Sequence, residues 1–146
     1  MKQKEGFVFI EILTIVCIGA IFLLLSAFFF NKSLRESKFK SICGCIVETL
    51  ATAKSLAENE GIPYTVVFDN DSFVMYREGA RIGKVFLLPS GTVIREKTSG
   101  FSPVVFFPDG TAREAGSMLL EEKRIKKRAR LSLYNLTGKV IVREEP

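Results

Sequence analysis

The 24 residues from Phe7 to Phe30 contain one ionisable side chain, Glu11, and no other feature limits the fold of this chain so strongly. As an α-helix rising 1.5 Å per residue the run reaches about 36 Å, which spans a bilayer with some tilt. A cleaved secretory signal has a shorter apolar region followed by a small-residue site, whereas this run closes on Ala27-Phe28-Phe29-Phe30-Asn31 and reads as a retained anchor. About 115 residues remain after it, rich in Phe, Val, Ile and Leu, enough for one globular domain without metal or disulfide staples.

Charge alone does not orient the anchor, because Lys2, Lys4 and the N-terminal amine face Lys32, Arg35, Lys38 and Lys40 across it. Glu11 is more informative. A carboxylate in hydrocarbon costs on the order of 3 kcal/mol or more, so such groups have partners. A Glu snorkelling to headgroups on an ordinary signal anchor is the plain alternative, and it leaves the residues before it unexplained. A short charged leader ends in Gly6, the aromatic Phe7 follows at once, and Glu11 is the fifth residue of the apolar run.

That order, Gly6-Phe7-Val8-Phe9-Ile10-Glu11, resembles the type IV prepilin signal of pilins, secretion pseudopilins and competence pseudopilins. The resemblance implies a leader of residues 1–6, cut between Gly6 and Phe7 by a membrane prepilin peptidase, methylation of the new amino terminus and a transmembrane segment of residues 7–30. Gly6 offers a bare backbone to a tight peptidase cleft. In that family Phe7 and Glu11 are the filament-assembly residues, the Phe7 amine pairing with a Glu11 carboxylate first within the chain and then on a neighbouring subunit. Desolvation opposes the gain from such a pair. The helix-kinking proline of many pilins is missing, so any bend falls to Gly19, Gly44 or softer local sequence.

Beyond Asn31 the pattern turns amphipathic: Phe39, Ile42, Cys43, Ile46, Leu50, Ala53 and Ala57 recur at helical spacing and predict a core-facing stripe over residues 31–60. Gly61 and Pro63 predict the helix end near Glu60. Residues 61–146 read as β-rich. Strands are predicted at Tyr64–Phe68, Phe73–Arg77, Lys84–Leu88, Thr92–Glu96, Val104–Phe107, Met118–Glu122, Arg128–Tyr134 and Val140–Arg143, separated by Gly, Pro, Asn and Asp turns. The expected fold is α+β, a long N-terminal helix packed on an antiparallel sheet or β-sandwich.

Two further segments, Val105-Phe106-Phe107-Pro108-Asp109-Gly110-Thr111 and Thr137-Gly138-Lys139-Val140-Ile141-Val142, resemble the paired landmarks of the GspH/FimT branch of minor pilins and pseudopilins. The resemblance implies a minor subunit of a type II secretion or type IV pilus-type filament. Its implied partners are the prepilin peptidase, other pilin or pseudopilin subunits, an inner-membrane assembly platform and the lipid bilayer. It implies single-pass residence in the cytoplasmic (inner) membrane, with the leader in the cytoplasm and the domain in the periplasm or outside, before entry into a pilus or pseudopilus. An unrelated single-pass protein with an independent domain is the remaining alternative.

Catalytic signals are weak. The chain has no histidine, which excludes imidazole triads and His-ligated metals. Ser37-Lys38-Phe39-Lys40 matches a Ser-x-x-Lys pattern but lies on the juxtamembrane helix without the companion signatures. Asp69-Asn70-Asp71 fits a hairpin tip better than a cation loop. No catalytic, metal or cofactor-binding residue is expected, and no cofactor. Cys17 lies in the apolar run, while Cys43 and Cys45 point about 200° apart on a helix, Cys43 reading as core and Cys45 lying on another face.

The formal charge is +5, and Lys123, Arg124, Lys126, Lys127, Arg128 and Arg130 crowd into eight positions. A solvated basic turn balanced by Glu121 and Glu122 is one reading, and contact with DNA, lipid or protein is another. Some FimT-like relatives bind DNA near a terminal Gly-Arg-x-Arg pattern. Here Gly138-Lys139-Val140-Ile141 keeps one cation and loses the second, leaving Lys139, Arg143 and the basic turn as the candidate DNA contacts of a competence-type receptor.

Overall fold

The structure is a computed structural model that describes residues 2–145, with the side chains of residues 2–7, 27 and 28 outside the description. One helix, α1 (Lys2–Glu60), precedes eight strands: β1 (Tyr64–Phe68), β2 (Ser72–Arg77), β3 (Ala80–Leu87), β4 (Thr92–Lys97), β5 (Val104–Phe106), β6 (Gly116–Glu122), β7 (Lys127–Tyr134) and β8 (Lys139–Glu145). The chain divides into two compact units, Met1–Arg35 and Glu36–Pro146, and the division falls within α1.

The first unit is helical, and between residues 8 and 30 large apolar side chains lie on every side of it, with Phe9, Ile15, Phe22 and Leu24 all more than half exposed. Its hydroxyls turn inward on the helix: Thr14 donates to the Ile10 carbonyl and Ser26 to the Phe22 carbonyl, each at 2.8 Å. That satisfies polar groups without water. By length and composition this helix is the one stretch of the described residues able to cross a membrane.

In the second unit the stripe Phe39, Ile42, Cys43, Ile46, Leu50, Ala53 and Ala57 is buried, as its spacing predicts, and packs on two antiparallel sheets. α1 ends at Glu60 because Gly61 takes a left-handed φ of 69°, its N–H still donating to the Ala57 carbonyl, before Pro63.

The sheets run β3-β2-β1-β5 and β4-β6-β7-β8. All eight predicted strands are present, with edges shifted. β3 begins at Ala80 rather than Lys84 because the ladder passes through Gly83, at a φ of 75°, where register with β2 shifts. β8 runs on to Glu145, since Arg128 and Ala129 of β7 supply partners for the last two residues. The chain also crosses between sheets at each step from β3 through β6, so β1 finds β5 and β4 finds β6 across intervening strands. Between the sheets lie Tyr64, Phe68, Phe73, Phe101, Phe106, Met118, Leu120 and Leu131, with Phe68 ring centroids 5.6 Å from Phe73 and 5.7 Å from Phe101.

Candidate functional site

The N-terminal candidates all lie on α1. Gly6 and Phe7 have helical backbone, their side-chain environment falling outside the described residues. Glu11 is exposed on the helix surface between the exposed Ile10 and Ile12, so its carboxylate is presented outward from an otherwise apolar wall.

The two landmark segments, separated by about 25 residues of sequence, meet in space. Phe107 N–H donates to the Thr111 carbonyl at 2.9 Å, and Asp109 Oδ1 accepts from Thr111 N–H and Oγ1 at 3.0 and 2.6 Å, closing the Pro108-Asp109-Gly110 turn. These bonds hold the Asp109 carboxyl below its ordinary range. Ala112 N–H then donates to the Asn135 carbonyl at 2.7 Å, joining that turn to the β7–β8 turn. Gly138, at a φ of 56°, sits so close that an added methyl would lie 2.5 Å from the Gly110 carbonyl oxygen. Lys54 of α1 completes the junction, donating to the Thr137 carbonyl at 2.9 Å while lying 3.6 Å from Glu58. The sequence motifs are thus one structural knot between the turns and the far end of α1. Lys54 carried no sequence signal beyond its place on the polar side of the stripe.

The basic cluster is not one surface. Lys127 turns to the helix side and hydrogen-bonds Glu36, with Glu144 4.0 Å away, while Lys40 lies 3.7 Å from both carboxylates. Lys127 lowers the Glu36 pKa, and Glu36 raises that of Lys127. Arg128 and Arg130 point to the other face of the second sheet, where strand register sets Arg130 opposite Arg143 and Arg128 opposite Glu145, with Lys139 further along the same face opposite Tyr134. There Glu121 accepts from Arg95 and from Arg128, and Arg130 Nε donates to Glu145 at 2.5 Å. The pKa values of Glu121 and Glu145 are lowered chiefly by Arg95 and Arg130 respectively. Lys123, Arg124 and Lys126 are exposed at the tip of the β6–β7 hairpin, with Lys126 in a left-handed conformation at a φ of 54°. Glu122 is 3% exposed, its carboxylate lying against the Gly91 backbone.

Lys40, the amine of the Ser-x-x-Lys pattern, lies within ion-pair distance of Glu36 and Glu144. Asp69 spends Oδ1 on Asn70 N–H at 2.8 Å within its own turn, and among the described residues no three metal-ligating side chains gather. Burial pushes the Cys43 thiol up to about 11. Cys45 is half-buried and lines an open groove of about 440 Å³ with Met75, Ile82 and Phe86. Comparisons with protein-family models, curated proteins and solved structures find no match to this chain.

Proposed function

We propose that this chain is a minor pilin or pseudopilin subunit of a type II secretion or type IV pilus-type filament and contributes to filament assembly. The observation that carries the reading is the division of α1 into an apolar half bearing Glu11 and a half sealed against antiparallel sheets. A subunit extracted from a bilayer into a filament requires an apolar segment with one specific polar contact and a separately folded domain. The segment Gly6-Phe7 to Glu11 supplies the processing junction and that contact, and the inner membrane is the place from which assembly begins. In this reading the protein is not an enzyme, and its partners are the prepilin peptidase, neighbouring subunits, the assembly platform and lipid.

Mass spectrometry of the membrane-extracted protein, expressed with and without a cognate prepilin peptidase, tests the proposal. A mature chain beginning at methylated Phe7 supports it. An intact Met1 beside an active peptidase sinks it and leaves an unrelated membrane-anchored domain.

A DNA-binding minor subunit is the second reading, favoured by Arg128, Arg130, Lys139 and Arg143 sharing one sheet face. Two of these four already serve carboxylates, which weakens the field they offer to phosphate. Binding of a DNA duplex at low salt, abolished by Lys139→Glu with Arg143→Glu, would support this reading, and unchanged binding would remove the face from consideration.

A further inference from the structure

The β6–β7 hairpin occupies a particular end of the folded unit. Lys127 at its foot is bonded to Glu36, near the start of the unit's helix, whereas the β7–β8 turn is clipped by Lys54 near the other end. Glu36 follows Phe30, the last residue of the apolar run, by six positions. Six residues cannot stretch beyond about 22 Å, whatever angle the two units adopt. With the apolar run in a bilayer, that length of chain leaves the headgroups within reach of the hairpin tip.

The chemistry of the tip fits that location. Lys123, Arg124 and Lys126 are exposed there around the half-buried Ile125. Nearby carboxylates are otherwise engaged: Glu36 and Glu144 by Lys127 and Lys40, Glu121 by Arg95 and Arg128, Glu145 by Arg130. Cations within a Debye length of an anionic surface are attracted to it, and an apolar side chain among them can settle at the headgroup boundary.

We infer that the tip Lys123-Arg124-Ile125-Lys126 docks on the anionic phospholipid headgroups of the membrane that holds the anchor. This rests on the anchor reading of residues 7–30. Docking adds a second, salt-sensitive attachment to the hydrophobic one, and the domain must release it when the subunit leaves the bilayer.

The test uses the full chain in nanodiscs of phosphatidylcholine, with or without phosphatidylglycerol, and reads amide hydrogen exchange. Exchange at residues 123–127 is expected to slow several-fold when phosphatidylglycerol is present. That protection should vanish at high salt and in a variant combining Lys123→Gln, Arg124→Gln and Lys126→Asn, Asn being suited to the left-handed position. Unchanged β7 protection in the variant shows that it folds. Equal tip exchange in both nanodiscs, with residues 8–30 protected in each, overturns the inference and leaves the anchor intact. Unprotected residues 8–30 overturn both. Tip protection by a DNA duplex but not by phosphatidylglycerol overturns it in favour of nucleic acid.

Discussion

The two halves of α1 solve the same problem, a helix rich in large apolar side chains, in opposite ways. From Glu36 onward the apolar residues are confined to one stripe, and the sheets cover it until Leu50, Ala53 and Ala57 are fully buried. In the first half they surround the helix and remain exposed within the chain. Stability of the second half is internal, while that of the first depends on what surrounds it. A bilayer or neighbouring helices can supply that environment, and helix propensity alone cannot replace it.

The sharpest way to break this contrast is to make equivalent truncations on each side. Leu50→Ala should destabilise the folded unit by about 2–5 kcal/mol, read as a lowered denaturation midpoint in detergent. Gly138→Ala should follow at about 1–3 kcal/mol, since a left-handed φ and the Gly110 carbonyl both oppose a side chain there. A comparable loss on changing the open Gly79 to Ala would show that backbone strain, rather than the close approach, dominates.

Glu36→Gln tests the electrostatic clamp at the start of the folded helix and should lower the denaturation midpoint less than Gly138→Ala does, as its pairs are partly exposed and screened by solvent. Its folded pKa is depressed, so the stabilisation is present above the ordinary carboxylate range and is lost as pH falls through the folded value. The wild-type and variant midpoints should therefore converge in acid. Leu13→Ala is expected to have the smallest effect, within about 0.5 kcal/mol on domain unfolding, because Leu13 is exposed in the other unit. A large shift there would mean that the two halves of α1 unfold as one.

Local features were readable because local physics decides them. The stripe from Phe39 to Ala57, the stop at Gly61 and the existence of eight strands follow from periodicity and turn chemistry. Which strands share a sheet was not readable, because the pairing of Tyr64 with Phe106 and of Thr92 with Glu122 is decided by tertiary packing. The same holds for the basic cluster. Contiguous cations look like one patch in sequence, but strand alternation sends Lys127 to Glu36 and Arg128 to Glu121, on opposite faces of the sheet. Gly110 and Gly138 were recognisable as turn residues, and only the fold reveals that their turns touch.

The alternation of the chain between sheets bears on vectorial synthesis. As the polypeptide emerges, its helix and first hairpin appear early, yet β1 must await β5, and Leu131 and Leu133 of the core arrive only with β7. Neither sheet can be finished before the chain has visited the other, so the oily stripe of α1 stays uncapped through most of synthesis. The nascent domain should thus need shielding from wrong partners until its closing strands are delivered, and its folding is expected to be a late, concerted event rather than a stepwise one.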